Sequence, residues 1–376
     1  MTTTPSLAEL LHDKTKTVRS DTLDGLRIIA SLLVFIVHFG GLFLARSPDA
    51  DVRSLSTLIT YLSPHGSSIL VVLSGYLTAR SAERCSYLHF VRKRYTRLAP
   101  AYITMLAIYV AIYIMCPSRS RLPESIGQAV VYIGANVLMF PGLYSIQPIM
   151  TVSWTLSYIM LAAIVLPPMY RLLRMGAVSP PARSVFFAFL MLLLAAAGLH
   201  AASLLLLGAL IENLRDPRGE TGCARKLRAF ITFRGAMSMV CWLIIASLLA
   251  PLKTVLIWVV LGTLLLTLVQ WRRGPWSDEI SRGLTQAGHR TYAFFLSHSL
   301  VLNVLLLCVP NQTTPSLLST AAWFLLALTT AVIVACLLYE AVERRFAGSA
   351  RTQEAISTLS RQYDPSVNWS FVKKLS

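Results

Sequence analysis

Apolar stretches of roughly 18 residues or more recur along this chain, and no other feature restricts its fold so severely. At 1.5 Å per residue, such a stretch coiled as a helix crosses the ~30 Å hydrocarbon layer of a bilayer. Hydrocarbon offers no partner for a backbone N–H or C=O, so a spanning segment must satisfy its own hydrogen bonds. Composition agrees. Of 376 residues, 55% are apolar and 14% charged, against about 25% charged in ordinary soluble proteins. The fold expected is all-α, a polytopic integral membrane bundle. A soluble enzyme, a disulfide-rich secreted domain and a disordered tail protein are excluded.

Spans are expected near residues 26–45, 60–80, 97–116, 153–172, 234–250, 254–271, 290–309 and 317–340. Two regions are ambiguous. Residues 126–143 are mostly apolar but interrupted by Gly127, Gln128, Gly134 and Asn136, and they end at Pro141-Gly142. Residues 184–211 form one run too long for an upright helix and short for two, with Gly198 and His200 near its middle. Cytoplasmic loops carry an excess of Lys and Arg, and that bias decides both cases. If 126–143 stays outside and 184–211 is a tight pair of spans, nearly every basic cluster falls on one side. These clusters are Arg171 with Arg174 and Arg183, the loop from Arg215 to Arg234, Arg272 to Arg290, and the tail from Arg344. The outer loops then hold little positive charge (Arg46, Arg53, Arg119, Arg121, Lys253), part of it balanced by Asp49 and Asp51. The prediction is about ten transmembrane helices in a cell (inner) membrane, with both termini cytoplasmic. The expected organisation is a cytoplasmic segment 1–22, a transmembrane domain 23–346 and a cytoplasmic tail 347–376. The first apolar block follows Lys14, Lys16 and Arg19 and lacks a small-residue cleavage site, so it reads as a retained span.

The 34 Lys and Arg against 17 Asp and Glu give a net charge of +17. In a soluble protein that would point to nucleic acid. In a membrane chain it is the positive-inside signal, and no nucleic-acid partner is expected. The six cysteines form no CxxC pair and no metal-like spacing with histidine, so no metal site is expected and they read as small apolar fillers. Cys116 and Cys308 both fall near the outer face, close enough in that topology for a pairing to be conceivable. Asn311-Gln312-Thr313 is a sequon with meaning only in a eukaryotic secretory pathway.

An ionisable group within a span costs about 2.5 to 3.5 kcal/mol on insertion scales, so each one asks for a reason. The first span opens Asp24-Gly25-Leu26-Arg27 and carries His38. Eleven residues are about three helical turns, which puts Arg27 and His38 on one face about 16 Å apart. Taken alone, they read first as a topology arginine and a core histidine bonded to a backbone carbonyl. In the second span, Ser74-Gly75-Tyr76 permits close helix approach. In His89-Phe90-Val91-Arg92-Lys93-Arg94-Tyr95-Thr96-Arg97, Arg94 and Arg97 share a helix face and have the geometry to grip phosphates, although a stop-transfer signal has the same composition. Ser153-Trp154-Thr155-Leu156-Ser157 stands where an outer loop enters a span, a usual place for an interfacial Trp. His298 lies about two turns into the ninth expected span, a position for buried polar work or for a satisfied helix histidine.

In order, these pieces resemble the membrane acyltransferase family 3. Arg27 and His38 look like its Arg-x10-His signature, Leu73-Ser74-Gly75-Tyr76-Leu77 is similar to its Ser-Gly-Phe/Tyr-Leu element, and Arg94 to Pro100 resembles its Arg-x-x-Arg-hydrophobic-x-Pro element. Trp154 to Ser157 is similar to the family's Trp-Ser/Thr-Leu-Ser, Tyr292 to His298 to its late Tyr-x-x-Tyr/Phe-x-x-His, and Leu338-Tyr339 with Glu343 to its closing Leu-Tyr-x-x-x-Glu. The resemblance covers residues 23–346 and implies O-acylation of a glycan or other hydroxyl compound. It further implies acyl-CoA, acetyl-CoA first, as co-substrate with no permanently bound cofactor. The expected roles are His38 with Arg27 as the catalytic pair, and Arg94, Arg97 and Arg92 (with Lys93 nearby) for acyl-CoA. Asp24, Ser74, Gly75, Tyr76, Trp154, Ser157, His298 and Glu343 are expected in support.

One departure stands out. Where the family usually has a glutamate and then an aromatic pair, this chain has Ile159, Met160, Leu161, Ala162 and Ala163. A catalytically silent family member acting as an assembly partner is therefore an alternative. A carrier for an anionic substrate is another, although the broken helices in matching halves that mark such carriers are not seen.

Overall fold

The computed structural model describes residues 21–45, 50–81, 86–116, 120–143, 146–176, 178–215, 262, 278–308 and 317–346, and every regular element among them is helical. In chain order these are α1 (Asp21–Phe39), α2 (Ala50–Ser81), α3 (Tyr87–Met115), α4 (Ile126–Val137), α5 (Ser153–Met175), α6 (Pro180–Ala196), α7 (His200–Arg215), α8 (Asp278–Cys308) and α9 (Leu317–Leu338). The first and last helices each run into one widened π-turn, Gly40–Leu44 after α1 and Tyr339–Glu343 after α9.

Among the described residues, five helical stretches are long and apolar enough to cross a membrane: Thr22–Leu44, Tyr87–Met115, Ser153–Leu173, Glu279–Cys308 and Leu318–Phe346. Helices α2 and α8 begin about three turns before the spans expected at 60 and 290, because their polar residues continue the helix beyond the apolar window. The expected spans 234–250 and 254–271 lie outside the described residues, Gly262 apart. So do the basic residues between Arg218 and Arg234, the sequon at Asn311, and nearly all of the two terminal segments.

Both ambiguous regions resolve through local backbone geometry. The run 184–211 breaks into α6 and α7 at Gly198, whose φ of +77° is the left-handed conformation that favours glycine. Gly198 N–H donates to Ala195 O at 3.0 Å and Leu199 N–H to Leu194 O at 2.8 Å. Those two bonds are a Schellman cap, which satisfies carbonyls the helix end would leave bare. The second region forms α4, 12 residues long. At about 18 Å this helix is too short to cross a bilayer.

Exposure is inverted relative to a soluble protein. Large apolar side chains such as Ile29, Ile114, Val185, Phe189, Leu325 and Leu337 stand exposed, while Asp24, Thr78, Asn136, Ser153, Ser157, Ser297 and His298 are buried. An apolar belt of that kind suits lipid rather than water. Inside, one core joins α1 and α2 to α5, α6 and α7 through residues such as Leu73, Tyr76, Ala162 and Leu205. A second joins α1, α3, α5, α8 and α9 through Phe35, Tyr102, Leu296 and Ala331. Cysteine packing differs from expectation. Cys116 and Cys308 are free and exposed at the ends of α3 and α8, so they neither pair nor fill a core; Cys336 is also free and half-buried. Cys85, Cys223 and Cys241 lie outside the described residues.

Candidate functional site

Helix α1 carries the site from end to end. At its start Asp24 is fully buried, and its carboxylate accepts from Arg27 Nη1 at 2.8 Å, one turn along the same helix. A Cβ at Gly288 would lie 2.6 Å from Asp24 Cβ, so α8 runs hard against α1 at this level. Small residues allow that approach.

The α3 cations join Arg27 here. Arg94 is within electrostatic reach of both Arg97 and Arg27. Its Nη2 donates a long 3.5 Å bond to Thr78 of α2, and its Nε is buried with no acceptor among the described residues. Glu343, in the π-turn after α9, faces Arg97, yet its Oε1 is also buried and has no partner among the described residues. Tyr292 of α8 closes the group by donating to Leu98 O at 2.9 Å, and it lies near Glu343 and Arg97. Five elements thus bring three guanidinium groups together against two carboxylates. Arg92 does not join them. Two residues are about 200° on a helix, so Arg92 is carried to the opposite side of α3 from Arg94, where it stands exposed beside Lys93.

The far end of α1 holds the second group. His38, partly buried, sits at the last turn before the π-turn Gly40–Leu44, a backbone irregularity that recurs at functional sites. His298 of α8 lies opposite, with ring centroids 5.4 Å apart. It is fully buried and walled by Phe35, Phe294 and Phe295. Its Nδ1 is 3.1 Å from Phe294 O, while its Nε2 has no partner among the described residues. Beside it, Tyr109 of α3 and Ser299 of α8 share a 2.8 Å hydrogen bond.

The start of α5 reaches the same level, since Val152 packs with Val34 of α1 and Phe295 of α8. Ser157 then fastens the preceding loop: its hydroxyl accepts from Gly142 N–H at 3.1 Å, and a Cβ at Gly142 would meet the Trp154 backbone. Trp154 packs edge-on against Tyr158. Ile159 is partly buried in the second apolar core, with no acid in its place, and Ala162 and Ala163 are fully buried.

The Ser74-Gly75-Tyr76 element does structural work. Ser74 Oγ donates to Leu70 O in its own helix at 2.7 Å, and Tyr76 accepts from Arg80 at 3.3 Å. A Cβ on Gly75 would overlap the Leu205 backbone, and one on Gly208 would overlap Val72 and Tyr76, so α2 and α7 touch backbone to backbone.

Several participants escape the motifs. Thr78 receives Arg94, Tyr109 fixes Ser299, and the buried Asn136 accepts from Ile149 N–H at 3.0 Å, with its own carbonyl receiving Tyr102 at 2.8 Å. Their common signal is a polar side chain in an apolar helix. His65 is, with His298, a second buried imidazole among the described residues, on α2 beside Gly66, where that helix meets Ala30 and Val34. Pro64-His65-Gly66 in an expected span was its signal. No group of three or more His, Cys, Asp or Glu with metal-binding geometry occurs among the described residues.

Residues 21–340 match the family model described as an acyltransferase domain, that of acyltransferase family 3. No curated protein and no solved structure matches the chain.

Proposed function

This chain belongs to acyltransferase family 3, and on that premise we propose that it moves an acyl group, acetyl first, from cytoplasmic acyl-CoA to a hydroxyl of a glycan or lipid-linked saccharide. The observation that carries this reading is the spread of polar groups along α1. Arg27 joins Arg94 and Arg97 at one end, and His38 stands about 16 Å away at the other. A pantetheine arm is of that order of length. Guanidinium groups hold phosphates through paired N–H bonds, and Arg94 has a buried N–H with no acceptor among the described residues. Asp24 holds Arg27 in place, and Glu343 with Tyr292 frames Arg97.

In this reading His38 is the general base. Its neutral imidazole takes the proton from the acceptor hydroxyl as that oxygen bonds to the thioester carbonyl carbon. The C–S bond then breaks, and the leaving thiolate recovers the proton from the imidazolium. The products are an ester and free CoA thiol, and His38 returns to its starting state. Trp154 and Ser157 shape the acceptor side through the loop they fasten. The remaining expected topology belongs to this reading: about ten spans, a cell (inner) membrane, cytoplasmic termini, and the cation cluster facing the cytoplasm.

Purified protein incubated with acyl-labelled acetyl-CoA and candidate glycans tests the proposal. Label on a glycan supports it; CoA binding without label transfer under any acceptor overturns it. Ile159 specifically favours a second reading, a silent family member acting as an assembly partner, and that protein would leave every glycan unlabelled.

A further inference from the structure

The His298 ring presents a hydrogen-bonding problem that fixes its chemistry. A carbonyl only accepts, so the 3.1 Å contact with Phe294 O requires the hydrogen on Nδ1. In a neutral ring that leaves Nε2 as a bare lone pair. This atom is buried, without a partner among the described residues, inside a wall of phenylalanine rings. Buried polar atoms are almost always satisfied, and an exception asks for the group that completes it. The adjacent ring is His38, at 5.4 Å between centroids. The two rings are tilted 44° to one another and no hydrogen bond joins them in this geometry. His38 is only partly buried, however, and at this separation a turn of its ring brings one nitrogen of each to about 3 Å, the length of a hydrogen bond.

We infer that His298 is a positioning residue for His38: the His38 ring turns so that its N–H donates to the vacant Nε2 of His298, which directs the other His38 nitrogen, lone pair outward, toward the acceptor hydroxyl. Three features fit that task. The Phe294 carbonyl locks the His298 tautomer, so the ring can only receive on the His38 side. The phenylalanine wall holds the ring plane, stacked on Phe294 at 5.8 Å. The Tyr109–Ser299 bond pins the same turn of α8 to α3. When His38 takes the hydroxyl proton it becomes an imidazolium with two N–H groups, and the one facing His298 then meets a lone pair in a site from which water is excluded. That interaction is stronger in the charged state than in the neutral one, which is the differential stabilisation that raises a rate.

The inference rests on His38 acting as the base in acyl transfer, and one set of variants separates the two claims. His298→Gln keeps an acceptor oxygen near the Nε2 position, whereas His298→Met has similar reach and none. Stability and activity should rank oppositely. The apolar Met variant should be at least as heat-stable in detergent as Gln, yet lose about 10²-fold in kcat, while Gln retains more of it. KM for acetyl-CoA should hardly change in either. In a His38→Ala background, His298→Met should cost little more, since residues acting as a unit are non-additive. In the unmodified protein, solid-state 15N spectra of labelled histidine should show a ring protonated at Nδ1 with Nε2 accepting a bond. Gln and Met variants with equal activity, a multiplicative loss in the double variant, or an Nε2-protonated His298 would each overturn the positioning role. If the unmodified protein transfers no acyl group, the reading of the function fails and this inference falls with it. Transfer by the unmodified protein alongside an unimpaired His298→Met variant sinks the inference alone.

Discussion

Single atoms decide how this bundle closes. Gly75 lies where its helix meets the backbone of Leu205, so any side chain there must drive α2 and α7 apart. Gly75→Leu should lower the unfolding temperature in detergent, by overpacking that costs about 1–3 kcal/mol or more. Ser74→Ala should leave it nearly unchanged, because among the described residues the Ser74 hydroxyl bonds to Leu70 O of its own helix; equal effects at the two positions would refute the backbone contact. Position 159 poses the opposite question. Ile159 packs into the core shared by α1, α3, α8 and α9, and Ala162 and Ala163 behind it are fully buried. The usual carboxylate and aromatics are thus replaced together by a small apolar surface. Ile159→Glu would bury an acid with no partner, and it should destabilise the fold by several kcal/mol without raising transfer. A stable Ile159→Glu variant with faster transfer would show instead that a catalytic group is missing here.

At the scale of elements, the sequence was most legible where a local rule applies. Gly198 in the middle of an overlong apolar run marks a helix end, and the Schellman cap forms there with both of its bonds. Apolar length located α3, α5, α8 and α9, while helix starts were less legible because polar residues extend α2 and α8 past the lipid-facing window. The helical repeat also predicts that Arg92 and Arg94 diverge, a wheel argument that overrides their adjacency in the basic run. What no local rule supplies is pairing over long separations. His38 and His298, or Tyr292 and Leu98, meet only because α1, α3 and α8 pack side by side. Helix α4 yields a prediction at this scale. Its 12 residues cannot cross a bilayer, and Asn136 and Tyr102 bind it back onto the bundle. In a background without native cysteines, Ser120→Cys and Gln147→Cys should both react with an impermeant thiol reagent from the outside. Labelling of one from the outside and the other from the inside would mean that the segment crosses.

Across the whole molecule, polar residues gather in two groups at opposite ends of α1. A cluster of cations gathers where α1 and α3 meet the turn after α9, and an imidazole pair stands at the other end of α1. The central claim is that the first group holds acyl-CoA and the second moves a proton, so damage to each should appear in a different kinetic constant. The direct measurement is steady-state acyl transfer by purified His38→Ala and Arg94→Ala, with acyl-CoA affinity titrated separately. His38→Ala should bind acyl-CoA normally while losing about 10² to 10⁴ in kcat. Arg94→Ala should weaken acyl-CoA binding, raise its KM and leave acceptor KM near that of the unmodified protein. Near-normal transfer by His38→Ala, or unchanged acyl-CoA affinity in Arg94→Ala, would contradict the account.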